Sequence, residues 1–300
     1  MNTPPKQQPA PYQQPSPPQQ PAPPPQMSEE ELKKKFDALK SQLETFKKKA
    51  LEKHKEVIGI ALLPPEKKDS EINDVLVLVD DTGDLKENKF DFRDKVAASL
   101  DKTAKDIDKN LKPQTLILTE LREACFDGKY ELLNLITASF FIHDPKDLLI
   151  ALKVSEIHRV MVLKKFEKYV VSYVAVGSLF RGDARSNDID VAVVVDDTDV
   201  KKMNRLELRD KLGAIIRSMG YEAATIAGVK KDFHIQVYIL TDFWEAIKEA
   251  SPVIFTFLRD GVPLYDRGIF MSWKLLLQMG RIRPSPEAID VHMDMGSRLV

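Results

Sequence analysis

The chain has a single cysteine, Cys125, among its 300 residues, with only 2 tryptophans and 12 glycines. One thiol cannot build an intrachain disulfide framework, so a small secreted scaffold is excluded and the reducing cytoplasm is the expected location. No apolar run approaches the roughly 18 residues of a membrane span, and the N-terminus lacks the apolar core of a signal peptide, so no membrane partner is expected. An excess of charge is missing too: 45 basic against 46 acidic side chains leave a formal charge of −1. That excludes a protein whose main work is coating nucleic acid through a strongly basic face. Apolar residues, at 43%, suffice for real cores. The length suits one large domain or two ordinary ones.

Residues 1–27 differ in kind from the rest. Eleven of the chain's 19 prolines fall between Pro4 and Pro25, among glutamine pairs and almost no aliphatics. Such a segment cannot bury enough surface to offset its ordering entropy, and a disordered, locally polyproline-II tail is expected. From Ser28 the pattern changes. Ser28 and Glu31 have the spacing of a capping box, and Leu32, Phe36, Leu39, Leu43, Phe46 and Ala50 recur in steps of four and three. This is a heptad-like seam on a charged amphipathic helix over 28–56, suited either to a homodimeric coiled coil or to packing along the body of the protein.

The remainder repeats internally. Offset by 116, Ser70 to Lys95 lies over Ser186 to Lys211 with 13 identities in 26 positions, where chance would give about two. Asp74/Asp190, Asp80-Asp81-Thr82 over Asp196-Asp197-Thr198, and Arg93-Asp94-Lys95 over Arg209-Asp210-Lys211 are among them. After a six-residue length difference, Leu118-Thr119-Glu120 meets Leu240-Thr241-Asp242 and Asp144 meets Asp266. A tandem duplication is the expected origin. In the second copy the expected strands are Tyr173–Val176, Ile189–Val195 and Phe233–Leu240. Val160, Phe166 and Val170 mark a helix leading in, and Arg209 to Met219 a helix leading out. Trp273 to Met279 continues the helical pattern, and Ser285-Pro286-Glu287 opens a last helix.

The chemistry is expected in Gly177-Ser178-Leu179-Phe180-Arg181-Gly182-Asp183-Ala184-Arg185-Ser186-Asn187-Asp188-Ile189-Asp190. A Gly-Ser turn follows a strand, and glycine lets a phosphate approach backbone N–H groups closely. Arg181 and Arg185 add positive charge to the same cradle. Asp188 and Asp190, two apart on the next strand, share one face at roughly 7 Å and are suited to flank a divalent cation, while Ile189 turns to the core. The turn residues Asp196 and Asp197 read as structural. His54 and His158 read as surface residues on charged helices, and Cys125 as core.

This pattern resembles the DNA polymerase beta nucleotidyltransferase superfamily, most closely its minimal archaeal and bacterial members. Val176-Gly177-Ser178 and Asp188-Ile189-Asp190 match the signature, whose four fixed positions would recur by chance in about one chain in a few hundred. The resemblance implies an α/β fold: two tandem nucleotidyltransferase-like domains, each a small mixed sheet flanked by helices. The first spans 57–144, a helical connector 145–172, the second 173–266, and a C-terminal helical segment 267–300. It also implies that Gly177, Ser178, Arg181, Arg185 and Ser186 hold a nucleoside triphosphate and that Asp188 and Asp190 bind catalytic Mg²⁺, with Mn²⁺ as the alternative ion. The reaction implied is transfer of a nucleoside monophosphate to a hydroxyl, with pyrophosphate released. The acceptor, whether protein side chain, RNA end or small molecule, is not specified by the motif.

Two departures qualify that expectation. The family takes a third carboxylate from a neighbouring antiparallel strand, here Lys231 to Tyr238. Phe233, Ile235, Val237 and Ile239 should face the core, leaving Asp232, His234, Gln236 and Tyr238 on the active face. The mid-strand acid is replaced by His234 or Gln236, and Asp232 sits at the strand's start as the remaining catalytic acid. A catalytically weak module that senses nucleotide, or binds RNA or protein, is therefore the alternative. The first copy has lost the motif altogether: Ala61-Leu62 stand over Gly177-Ser178 and Ile72 over Asp188, leaving only Asp74.

Overall fold

The computed structural model describes residues 29–65, 67, 71–85, 87–176, 188–200, 203–249, 251–283, 286, 289–290 and 293. The N-terminal tail and the residues Ser285 and Glu287, expected to open a last helix, lie outside the described residues. By its internal contacts the chain divides into Met1–Ser41 and Gln42–Val300. In the first unit the described part is the opening half of helix α1 (Glu29–Lys53), where Phe36 is exposed.

The second unit contains the rest of α1 and two mixed sheets flanked by helices. In the expected seam Leu43, Phe46 and Ala50 are buried. Strands β1 (Val57–Leu62), β2 (Asn73–Val79), β3 (Leu111–Ile117) and β4 (Phe140–His143) form the first sheet, in the order β3-β2-β1-β4. Strands β5 (Val170–Val176), β6 (Asp188–Val195), β7 (Asp232–Ile239) and β8 (Val262–Asp266) form the second, in the order β7-β6-β5-β8. In both, the first strand runs antiparallel to two neighbours and the second runs parallel to the third. The strand carrying Asp232 and His234 is thus parallel to β6, which corrects the antiparallel expectation. The long helix α6 (Arg205–Ala227) is the crossover that a parallel pair requires.

The helices repeat with the strands. Helices α2 (Lys89–Lys105), α3 (Leu118–Phe126) and α4 (Glu131–Thr137) stand in the first half where α6, α7 (Leu240–Lys248) and α8 (Pro252–Asp260) stand in the second. The six-residue length difference lies in the crossover, 17 residues in α2 and 23 in α6. Both crossovers begin at an asparagine cap, Asn88 accepting from Phe90 N and Asn204 from Glu207 N.

Helix α5 (Leu148–Phe166) belongs to both halves: it follows β4 as α9 (Ile269–Gln278) follows β8, and it precedes β5 as α1 precedes β1. A helix packed on opposite sides cannot afford a polar stripe, and α5 buries Leu149, Ala151, Leu152, Val154, His158 and Val162 around its circumference. One continuous core therefore joins Ile58, Leu78, Leu149 and Val162 to Tyr173, Val191 and Ile216.

This burial overturns the surface reading of two histidines. His158 is fully buried. Its Nε2–H donates to the Ile216 carbonyl at 2.9 Å, and Nδ1 accepts from Tyr173 Oη at 2.8 Å. Removal from water pushes its pKa down to about 4, so the ring is neutral. His54 is half-buried between Glu56 and Ser99. Val170, expected at a helix end, opens β5. Cys125 is core, its thiol pushed up to about 12 by burial.

Candidate active site

β6 begins polar and ends apolar. Asp188 and Asp190 are half-exposed on one face, Ile189 is buried on the other, and from Val191 onward both faces are covered. The covering layer over the carboxylate face consists of α7, α8 and α9, whose Phe243, Ile254, Phe257, Leu258 and Phe270 pack on Ala192 and Val194. The two carboxylates lie where that cover stops.

The parallel register sets β7 beside them. Asp232 pairs with Asp188, His234 with Asp190 and Gln236 with Ala192. As expected, Asp232, His234 and Gln236 are exposed while Ile235, Val237 and Ile239 are buried. His234 Nδ1 stands 3.5 Å from Asp190 Oδ1, which fixes the even-numbered residues of β7 on the face of the carboxylate pair. Burial holds the Asp190 carboxyl above the usual carboxylate range. The Asp188 charge raises it further, and His234 opposes the shift.

A cation would relieve that strain, because it favours both carboxylates in their charged form. Asp188 and Asp190 are hard oxygen donors of the kind Mg²⁺ takes. Among the described residues, however, no three of His, Cys, Asp and Glu converge closely enough to hold a metal ion. Asp232 shares the face without closing onto the pair. The fit to a divalent cation therefore rests on two carboxylates. Gly177, Ser178, Arg181, Arg185 and Ser186, the expected nucleotide cradle, lie outside the described residues.

Beside Asp190 lies a cavity of about 380 Å³, bounded by Val176, Gln236, Pro252, Val253, Thr256, Phe257 and Asp260. Five of these come from α8, which the motif did not implicate. Its amphipathic pattern signals only a core face, and Thr256 and Asp260, at the edge of that face, carry no signature of their own. Tyr238 Oη donates to Gln236 Oε1 at 2.6 Å, and burial raises the Tyr238 pKa, so the phenol keeps its proton. Lys274, nearly buried, donates to the carbonyls of Leu258, Arg259 and Gly261, tying down the C-terminal end of α8. Burial brings its pKa down to about 8.

Among the described residues the first half shows no such pair of carboxylates. The backbone register sharpens the comparison: Leu63 N donates to Asp74 O as Val176 pairs with Asp190, so Val176 corresponds to Leu63. Counted along the sequence from that pair, Pro64-Pro65, and not Ala61-Leu62, aligns with Gly177-Ser178. A single offset of 116 misaligned the first strand because the loop after it differs in length by three residues. The surviving acid, Asp74, accepts from Gln114 Nε2 at 3.2 Å.

A family model described as the nucleotidyltransferase domain matches residues 160–258, about a third of the chain. The matched segment runs from the second half of α5 through β5, β6, α6, β7 and α7 into α8, and it contains every acidic, histidine and glutamine residue of the site except Asp260. No curated protein matches the chain. No helix among the described residues is long and apolar enough to cross a membrane. The match supports the nucleotidyltransferase superfamily for the half of the molecule that carries Asp188 and Asp190.

Proposed function

We propose that the second half is a nucleotidyltransferase that moves a nucleoside monophosphate from a nucleoside triphosphate onto a hydroxyl acceptor and releases pyrophosphate. The observation that carries this reading is the Asp188–Asp190 pair at the uncovered start of β6, inside the segment matched by the nucleotidyltransferase family. Asp188 and Asp190 would hold Mg²⁺, which when bound neutralises charge on the reacting phosphates. Gly177, Ser178, Arg181, Arg185 and Ser186 would receive the triphosphate through backbone N–H groups and positive charge. Asp232, beside Asp188 in register, is the carboxylate available to take the acceptor's proton. We infer further that the halves are copies, and that the first now serves as a packing partner.

His234 and Gln236 favour a second reading on the same fold: a site that binds nucleotide and turns over weakly, because neither supplies the hard negative oxygen of a third acid. Calorimetric titration of ATP, GTP, CTP and UTP with Mg²⁺, into wild type and the Asp188→Asn/Asp190→Asn variant, tests both. Metal-dependent binding lost in the variant is expected, and absence of binding by all four triphosphates overturns both. Transfer of a labelled α-phosphate then separates the enzyme from the weak binder.

A further inference from the structure

We infer that the outer edge of β7 is a docking site for an extended segment of a partner protein, which joins the second sheet as an added strand. The inference stands apart from the nucleotide chemistry and does not rest on it. Four strands, β3, β4, β7 and β8, end the two sheets. An unpaired edge invites strands from other chains, and proteins blunt their edges with proline, lysine or brevity. Three of the four are blunted. β3 carries Lys112 and Pro113, β4 has four residues, and β8 has five, Pro263 among them. β7 runs for eight residues, Asp232–Ile239, with neither proline nor lysine.

The register shows which backbone groups point outward. Leu63 N donates to Asp74 O, so Asp74 turns its backbone to β1 and Val75 turns to β3. Opposite such a position in a parallel pair, the partner residue points away. That partner is Pro113, opposite Val75, and its equivalent in the second half is Ile235, opposite Val191. A proline therefore silences the outer edge of the first sheet where the second keeps an N–H. By alternation Phe233, Ile235 and Val237 all direct N–H and C=O outward. Among the described residues no backbone bond reaches those outer groups. The elements packed on β7 are β6 beside it, α6 over one face and α7 at its end.

The cover from α6 decides between occupants. α6 sits directly over β7, so close that a Cβ on Gly220 would collide with Ile235 Cδ1. Two-fold pairing of β7 with a second copy would bring the two α6 helices within about one strand spacing, about 5 Å. Packed helices need roughly 8–10 Å. A lone strand carries no such helix and fits. The chain's own opening, with eleven prolines between Pro4 and Pro25, lacks the donors for a strand. The partner segment is thus extended, proline-free and alternating. Its apolar side chains continue the face of Phe233, Ile235 and Val237, and its polar ones line up beside Asp232, His234 and Gln236.

The test uses the full chain and a fluorescein-labelled octapeptide of alternating threonine and valine, with fluorescence anisotropy as the readout. The peptide should bind saturably below about 1 mM. Two further peptides carry N-methyl groups on the threonine amides or on the valine amides. One set of amides faces β7 and the other faces away, so one peptide should lose at least about tenfold in affinity while the other keeps it. Amide exchange at Phe233, Ile235 and Val237 should slow when the unmethylated peptide is bound. Ile235→Pro, which copies Pro113, should abolish binding without changing the oligomeric state. No saturable binding, equal affinity of the two methylated peptides, or no protection at the three amides overturns the docking site. So does a dimer that Ile235→Pro dissolves, since the edge would then belong to a second copy. The methylated pair reads the wild type, so the test survives a variant that fails to fold.

Discussion

The two halves share one sheet order, one sequence of helices and one set of turns, yet among the described residues the acidic pair with a cavity beside it belongs to the second. What they have in common is what holds a sheet to its helices. Asp80 Oδ1 accepts from Thr82 N and Oγ1, and Asp196 Oδ1 accepts from Thr198 N and Oγ1. Asp81 takes Thr119 N at the start of α3, and Asp197 takes Thr241 N at the start of α7. Asp144 accepts from Ile150 N at the start of α5, and Asp266 from Phe270 N and Met271 N at the start of α9. The halves part at Ile72 against Asp188, at Lys112 against His234, and, counted along the sequence, at Pro64-Pro65 against Gly177-Ser178. Comparison within a single chain thus separates the carboxylates that hold helix N-termini in both halves from the Asp188–Asp190 pair to which we assign the chemistry.

The sharpest way to break that division is to mutate matched acids. Asp190→Asn should weaken Mg²⁺-dependent triphosphate binding by about 100-fold or more, with the melting temperature held or raised, because partial burial already disfavours the charged form of the carboxyl. Asp74→Asn should leave binding unchanged. Calorimetry on both variants decides it, and equal losses would mean that the first half takes part in binding.

Matched structural acids should behave in the opposite way. Asp81→Ala and Asp197→Ala each strip a partner from a helix N-terminus, and Asp81 also loses Lys89 at 3.0 Å. Each should cost about 1–3 kcal/mol in denaturant unfolding, with triphosphate affinity retained at temperatures where the variant is folded. A stability loss in one half alone would show that the turns are not equivalent.

Much of this was legible in the sequence. The alternation Asp188-Ile189-Asp190 followed by an unbroken valine run described a strand that begins at a surface and ends covered, and it does. The repeat located the Asp196-Asp197 turn and the six extra residues of the crossover. Three things were hidden. The sense of β7 depends on the crossover's path, which a strand's own residues do not encode. The burial of His158 comes from α5 being packed on two sides, which its charged neighbours Glu156 and Arg159 disguise because they pair with each other. The α8 wall of the cavity is assembled by tertiary packing some 60 residues beyond the motif.

A subtler difference lies beneath the paired caps. Asp266 Oδ1 also accepts from Ser172 Oγ at 2.6 Å. The register places Gly59 where Ser172 stands, opposite Leu78 and Val194 respectively, and among the described residues Asp144 Oδ1 is buried with no hydrogen-bond partner. Burial, with Asp147 adding like charge, pushes Asp144 up to about 6. An acid raised from 3.8 to about 6 binds its proton more tightly when folded. Its contribution is therefore fully present below pH 3.8 and is lost as pH rises through about 6. His158, lowered from 6.5 to about 4, contributes stability that is present above pH 6.5 and lost as pH falls through about 4. The two slopes oppose each other across one window, and stability between pH 4.5 and 6 should be nearly flat on their account. Asp144→Asn keeps the cap and removes one slope, so stability should then rise by about 1 kcal/mol per pH unit. Urea unfolding at several pH values reads this directly, and an unchanged profile in Asp144→Asn would sink it.

The smallest effect concerns the crossover helices, the elements that differ most in length. Each carries an exposed i,i+4 pair of the same polarity, Asp101 with Lys105 in α2 and Glu207 with Lys211 in α6. Water screens both, and each long side chain loses rotamer freedom on pairing, so Lys105→Ala and Lys211→Ala should each change stability by less than about 0.5 kcal/mol. Their value lies in the contrast with Ser172→Ala, which removes a hydroxyl of equal bonding count from a fully buried position and should cost about 1–3 kcal/mol. If the surface pairs proved as costly as Ser172, the crossovers would have to be packed against something beyond their own sheet. The extra six residues of α6 would then be the place to look, since Tyr221 and Ile226, both strongly exposed, lie near its end.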